Sequence, residues 1–123
     1  MGIGALAAPL SAFAAYGTGL GSTAHNLANV LTPGFKAGRV TYAESPGQSG
    51  VKAEGPQKLD TPGAFIPVSP GLPESGSGFV EASNTDVARE MVNLIVNSRT
   101  YQANAKTVRT ADEMLGTVIN IKA

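Results

Sequence analysis

The chain has no cysteine and no tryptophan among its 123 residues, and His25 is its one histidine. Without cysteine it can form no disulfide, thiolate zinc site or iron–sulfur cluster, and a lone histidine leaves little for metal ligation. Charge is scarce too: charged residues make up 15% of the chain, and nine basic residues balance nine acidic ones. This balance predicts no attraction to nucleic acid or to an anionic membrane surface. The absences argue against most classes of enzyme, and we expect no cofactor, no metal and no small-molecule substrate.

Formal charge is missing altogether from residues 1–35, and the first charged residue is Lys36. Such a segment is a secretory signal, a membrane span or a helix buried on nearly every side. It lacks the basic start of a signal peptide. Glycines and polar residues also interrupt it before the roughly 18 apolar residues that a span needs. Two alternatives stay open: a small secreted binding module with an N-terminal leader, and a membrane-associated helical protein.

The spacing of apolar residues favours the buried helix. Within residues 1–32, large apolar side chains recur at steps of three and four, with Gly17 and Ala24 in phase. This pattern is typical of a helix that packs on other helices at coiled-coil angles. Pro33 and Gly34 then predict that the helix ends in a turn.

Residues 33–82 are interrupted by glycine and proline every few positions. Only short stretches, at residues 39–43, 50–54, 64–68 and 78–81, can be extended. Their alternation predicts one or two small hairpins within an otherwise flexible segment, with no continuous core of its own.

The C-terminal segment, residues 83–121, is the clearest element. Ser83, Asn84 or Asp86 can cap a helix, and no proline follows up to residue 120. About 35 residues make roughly 52 Å of helix. Its apolar face is wider than one partner helix can cover. Two such helices in so short a chain predict an assembly.

Two polar residues of this helix carry a specific hypothesis and a plainer alternative. Asp112 interrupts the apolar stripe, so it either meets Arg109 or a neighbouring copy and fixes register, or lies where the stripe turns to solvent. Asn104 is either exposed or bonded to the turn near Asn29 and Thr32 of an adjacent copy.

Together these elements predict a mainly α fold. The long N- and C-terminal helices would pack as an antiparallel coiled-coil-like pair, joined by a short Gly/Pro-rich, partly β segment. We expect one domain over residues 1–123, with an N-terminal helix and turn at 1–32, an irregular or β-hairpin segment at 33–82 and a C-terminal helix at 83–121.

Motifs at both ends carry a resemblance to a known family. Residues 24–36, AHNLANVLTPGFK, resemble the motif that closes the N-terminal helix of bacterial flagellar rod and hook proteins. Residues 90–95, 99–106 and 109–115 resemble the C-terminal helix signature of the same family, in the right order. The length is most similar to that of the short proximal-rod members.

The resemblance implies a structural subunit of the flagellar basal-body rod, which polymerises helically through its terminal helices into a hollow drive shaft across the periplasm. It implies copies of the chain and other rod proteins as partners, and passage through the flagellar type III export apparatus without a cleaved signal peptide. It also implies a subunit interface on the terminal helices and the motif turn. The interface residues expected there are Ile3, Leu6, Leu10, Phe13, Leu20, Asn26, Leu27, Asn29, Leu31, Pro33, Gly34, Phe35, Val87, Met91, Leu94, Tyr101, Asn104, Val108, Arg109, Asp112, Leu115 and Ile119.

Overall fold

The computed structural model describes residues 4–47, 49–68 and 78–122. Two helices enclose four strands along the chain. They are α1 (Gly4–Ala28), β1 (Gly38–Glu44), β2 (Val51–Lys58), β3 (Phe65–Pro67), β4 (Phe79–Glu81) and α2 (Val87–Lys122). The strands form two separate antiparallel sheets, β1 with β2 and β3 with β4. Neither described helix has a stretch long and apolar enough to cross a bilayer.

Both helices end and begin where local sequence signals predict. α1 stops at Ala28, and the turn that follows contains Gly34 at a φ of 69°, a conformation that favours glycine. α2 is capped by Asp86, whose Oδ1 accepts a hydrogen bond from the backbone N–H of Arg89 at 3.2 Å. Glu90 lies in the first turn of α2, where a carboxylate is favoured by the helix dipole.

α1 is the central element, because it contacts β1 and β2 as well as α2. Its inner face carries small or polar residues: Ala12, Ala15, Gly19, Thr23 and Asn26 are all buried. Small side chains let a neighbouring backbone approach closely. The most buried positions of α1 against the larger sheet and α2 are therefore small or polar, and aromatic contacts such as that of Tyr16 with Tyr42 lie beside them.

The predicted fold class is wrong. The fold is mixed α/β, with two helices and two small antiparallel sheets, and the predicted long antiparallel coiled-coil-like pair is not what organises it. A coiled-coil seam would bury the large apolar stripe of α1, yet Leu10 is 54% exposed. Leu31, predicted to continue the stripe, lies in the turn after α1 and is 91% exposed. The prediction weighed the length of the helices and undervalued the strands between them.

The four extended stretches predicted in the middle segment are confirmed, and the first pair is longer than expected. This sheet has a bulge between Arg39 and Thr41. It is held to α1 through backbone atoms at both of its ends. Ser11 Oγ accepts the N–H of Val51 at 3.1 Å, and Asn26 bonds the backbone of Gly38. The segment lacks a core of its own, so its order depends on these bonds to α1.

Candidate functional site

The described residues form no candidate metal site. No group of three His, Cys, Asp or Glu side chains among them could hold a metal ion. The ring of His25 lies against the ring of Phe35, with 5.4 Å between centroids. The structure instead shows two distinctive features, a cluster of polar side chains near the ends of the helices and a long apolar surface on α2.

We call the first feature the polar junction; it consists of the side chains of Asn26, Lys36, Glu81, Asn84 and Thr85. Asn26 is 1% exposed. Its Nδ2 donates to the carbonyl of Gly38 at 2.8 Å, and its Oδ1 accepts the N–H of Gly38 at 2.9 Å. One amide thus satisfies both backbone groups of the residue that begins β1.

Asn84 ties three segments together. Its Oδ1 accepts the N–H of Ala37 at 2.7 Å, and its Nδ2 donates to the carbonyls of Leu59 at 2.9 Å and Thr61 at 2.8 Å. Beside it, Thr85 Oγ1 donates to the carbonyl of Asn26 at 3.3 Å. The start of α2, the end of α1 and the exit from β2 are therefore fixed relative to one another by directed hydrogen bonds.

Glu81 completes the polar junction. Its Oε1 accepts hydrogen bonds from Lys36 Nζ at 2.5 Å and from the N–H of Gly63 at 2.8 Å. The hydrogen bond from Lys36 is the main reason that the pKa of Glu81 lies below its ordinary value, and the bond from Gly63 adds to it. This ion pair links the turn after α1 to β4.

The apolar residues predicted at the interface on α1 are only partly covered within the chain. Phe13 stacks on Tyr101 of α2 with 4.7 Å between ring centroids. Leu6, Leu20 and Leu27 are half-buried, whereas Leu10 and Leu31 are exposed. Ile3 lies outside the described residues.

The motif turn, also predicted at the interface, is mostly exposed. Leu31, Pro33 and Gly34 face solvent, while Asn29 and Phe35 are half-buried. Asn29 Nδ2 donates to the carbonyl of His25 at 2.9 Å and stabilises the end of α1. Asn26 differs from the other predicted interface residues near this turn, because its side chain is buried within the fold.

The predicted residues of α2 fall into two groups. Leu94, Asn104 and Val108 are half-buried, and Tyr101 contacts Phe13. Asn104 Nδ2 donates to the carbonyl of Thr100 in its own helix at 2.9 Å. The exposed group is Val87, Met91, Arg109, Asp112, Leu115 and Ile119.

The last part of α2 is the second feature, and we call residues 112–121 the distal segment. Every residue in it is exposed. Half of them are large and apolar, and their exposed fractions run from 40% to 80%: Met114, Leu115, Val118, Ile119 and Ile121. Contiguous apolar surface of this kind marks interaction sites in soluble proteins.

Sequence reasoning missed most of the polar junction. It considered Asn84 only as a helix cap and gave Lys36 and Glu81 no structural role. The available signal was the row of small and polar residues on α1, from Ala12 through Gly19 and Thr23 to Asn26, which keeps helical spacing beside the apolar stripe. Such a row indicates a face that lies close to another backbone.

Comparison with known proteins agrees with the motifs. Residues 77–121 match the family described as flagellar basal body rod FlgEFG protein C-terminal. The chain is 44% identical over 59 residues to the flagellar basal-body rod protein FlgG of Borreliella burgdorferi, covering 48% of this chain and 22% of that protein. It is 48% identical over 46 residues to the flagellar hook protein FlgE of Escherichia coli, covering 37% of this chain and 11% of that protein. The chain thus spans less than a quarter of the length of either relative, and the predicted resemblance to this family is confirmed.

Proposed function

We propose that this chain is a structural subunit of the bacterial flagellar basal-body rod, because its C-terminal region matches the family of flagellar rod and hook proteins. It polymerises helically through its terminal helices, with copies of itself and other rod proteins as neighbours, and contributes to the hollow drive shaft that crosses the periplasm. The relatives that it matches are named as rod and hook proteins, which supports a structural role over an enzymatic one.

The observation that carries this proposal is the distal segment of α2. α2 has 36 residues and α1 has 25, so α2 is about 16 Å longer at 1.5 Å per residue. Every residue from 112 to 121 is exposed, and Val118, Ile119 and Ile121 are 64%, 69% and 80% exposed. Burial of such side chains releases roughly 25 cal/mol for each Å² of apolar surface, and a second copy can supply that burial.

The exposed apolar residues elsewhere on the helices extend the same surface. Leu10 on α1 and Val87 and Met91 on α2 are each about half exposed. They belong to the stripes that the sequence assigns to the subunit interface. A helical polymer gives each copy several neighbours, so faces on both helices can be buried at once.

The composition of the core suits a subunit that passes through the flagellar type III export apparatus. Apart from Pro9, the buried apolar side chains in the described part of the chain are alanines, Ala12, Ala15 and Ala37. Small side chains contribute little hydrophobic stabilisation. Such a chain is easily unfolded for export and gains stability once its helices are covered by neighbours.

The test is assembly as a function of concentration. Sedimentation velocity and circular dichroism of the purified chain should show large species, and a rise in helicity, as concentration increases. The variant Val118→Ser/Ile119→Ser should stay small at concentrations where the parent assembles, while Asn120→Ser, a matched exposed polar position, should behave as the parent. A parent chain that remains a monomer of constant helicity, or a double variant that assembles normally, would contradict the proposal.

A further inference from the structure

A cavity of about 360 Å³ lies where α1, β1 and α2 meet. Its inner wall includes Glu90 and Asn97, which are buried. Arg39, Arg89 and Asn93 line it as well, and these residues are exposed, so they form its mouth. The exposed part of the lining therefore includes two arginines, which are donors only, and an asparagine, which can donate or accept hydrogen bonds.

The charge of the cavity is not balanced within the described chain. Its lining holds two arginines, Arg39 and Arg89, and one carboxylate, Glu90, which leaves one net positive charge. Neither arginine forms an ion pair with any described residue; the two ion pairs found there are Lys36 with Glu81 and Arg109 with Glu113. One additional carboxylate would make the cavity neutral. Arginine is also the side chain whose geometry best matches a carboxylate.

Asp112 supplies a carboxylate that could bind these arginines. It begins the distal segment of α2 and is exposed. The nearby guanidinium of Arg109 donates its Nε–H to Glu113 Oε1 at 3.1 Å, and Asp112 forms no ion pair within the described residues. When a neighbouring copy covers the distal segment, this charge is desolvated. An unpaired carboxylate in such an interface costs several kcal/mol.

Asp112 cannot reach the cavity of its own chain. Both Asp112 and Glu90 lie on α2, and the 22 residues between them correspond to about 33 Å along the helix axis. A contact between them must therefore join two copies.

We propose that the cavity at Arg39 and Arg89 binds the Asp112 carboxylate of a second copy of this chain. The proposal rests on the proposed function, because it names the polar contact that sets the register of the copies. The apolar surface of the distal segment supplies contact area without direction, whereas a charge that fits one cavity allows one alignment. A single polar group in an apolar helix interface fixes register in this way.

The first test compares matched neutral variants by the concentration at which the chain assembles. Asp112→Asn and Arg89→Gln should each raise that concentration by about tenfold or more, the size expected for loss of one partner of a desolvated pair. Arg99→Gln serves as the control, since this exposed charge lies on the same helix outside both the cavity and the distal segment, and it should change that concentration by less than about threefold. The double variant Asp112→Asn/Arg89→Gln should assemble at a concentration no higher than that needed by the more strongly impaired of the two single variants.

The second test is disulfide cross-linking between introduced cysteines, which is specific because the chain has no cysteine of its own. A mixture of Asn93→Cys and Leu115→Cys chains should form an intermolecular disulfide under mild oxidation, because residue 115 lies one turn from Asp112 on the same face of α2 and residue 93 lines the cavity. Asn93→Cys mixed with Gln102→Cys is the control and should form far less.

The outcomes separate this inference from the proposed function. A parent chain that assembles, together with an Asp112→Asn variant that assembles equally well, overturns the inference and leaves the rod function standing. Equal cross-linking in the two cysteine mixtures also overturns the inference. A parent chain that never assembles contradicts the rod function itself. Asp112 is exposed and far from the core, so the assembly of Asp112→Asn can be interpreted even if Arg89→Gln fails to fold.

Discussion

The polar junction and the distal segment of α2 use buried and exposed surface in opposite ways. In the polar junction, an amide side chain is almost fully buried: Asn26 is 1% exposed and has partners for both of its polar atoms. In the distal segment, Ile119 and Ile121 are 69% and 80% exposed. Folded proteins usually bury isoleucine and expose asparagine, so each region departs from the norm in its own direction.

This contrast shows how geometry and contact area are divided along the chain. Hydrogen bonds are directional and fix the angles at which segments meet, and the polar junction joins both helices to both sheets. Apolar burial is proportional to area and has no direction, and most of the apolar area on α2 remains available. Within the chain, polar contacts thus fix the angles between segments, while much of the apolar surface of α2 stays exposed.

The strongest way to break the contrast is to remove the central amide of the polar junction. Asn26→Ala leaves the N–H of Gly38 without a partner, while the carbonyl of Gly38 keeps only the longer bond from Ser22 Oγ at 3.3 Å. We therefore expect the free energy of unfolding to fall by about 1–3 kcal/mol. Urea denaturation of the dilute chain, followed by circular dichroism, measures this loss.

Asn29→Ala is the matched control for that experiment. The Asn29 amide also makes two hydrogen bonds, to the carbonyl of His25 and from the Thr32 hydroxyl, but both lie at the exposed end of α1. We therefore expect its variant to lose less than about 1 kcal/mol. Equal losses for the two variants would show that the buried amide has no special role.

Two glycines in the middle of helices provide the next largest contrast. A Cβ at Gly19 would collide with the hydroxyl of Tyr42 and lie 3.0 Å from Asn97 Nδ2, whereas one at Gly116 in the distal segment would have no described atom within 4 Å. We expect Gly19→Ala to destabilise the dilute chain by about 1–2 kcal/mol through overpacking. Gly116→Ala should stabilise it by about 0.5–1 kcal/mol, because alanine favours the helix. Thermal melts of both variants give the signs, and a stabilised Gly19→Ala would refute the close packing of α1 on Tyr42.

Local signals in the sequence predicted the elements of this fold but not their arrangement. The cap at Asp86, the turn at Gly34 and the alternation around Val40 and Tyr42 are short-range features, and the structure confirms the helix ends and strands that they indicate. The polar junction joins residues far apart in sequence, such as Asn84 with Leu59. No spacing rule relates such positions, so these contacts could not be predicted.

The apolar stripe of α1 was the misleading signal. Its 3-4 spacing predicts a face that is buried against a helix, and the coiled-coil-like pair followed from the assumption that this partner is α2 of the same chain. Within the chain α1 instead buries the adjacent row, at Ala12, Ala15 and Gly19. Periodicity shows that a face prefers burial but does not say whether the partner belongs to the same molecule.

The smallest expected effect is a change in stability with pH. It compares the ion pair of the polar junction, Lys36 with Glu81, with the exposed pair in α2, Arg109 with Glu113. The pKa of Glu81 in the folded chain lies below its ordinary value because Lys36 and Gly63 bond its ionised form. Its contribution to stability is therefore present at pH values above the ordinary pKa of a glutamate and is lost as pH falls through the lowered value. Glu81→Gln should lower the free energy of unfolding at neutral pH, and the difference from the parent should shrink steadily on acidification.

Glu113, whose side chain is 65% exposed beside Arg109 in α2, is the matched control, and Glu113→Gln should follow the parent at every pH. Urea denaturation between neutral pH and about pH 3 measures both differences, since this range covers the titration of glutamate. A constant difference for Glu81→Gln would mean that the carboxylate does not stabilise the polar junction through its charge, and the contrast between the two regions would then rest on Asn26 and Asn84 alone.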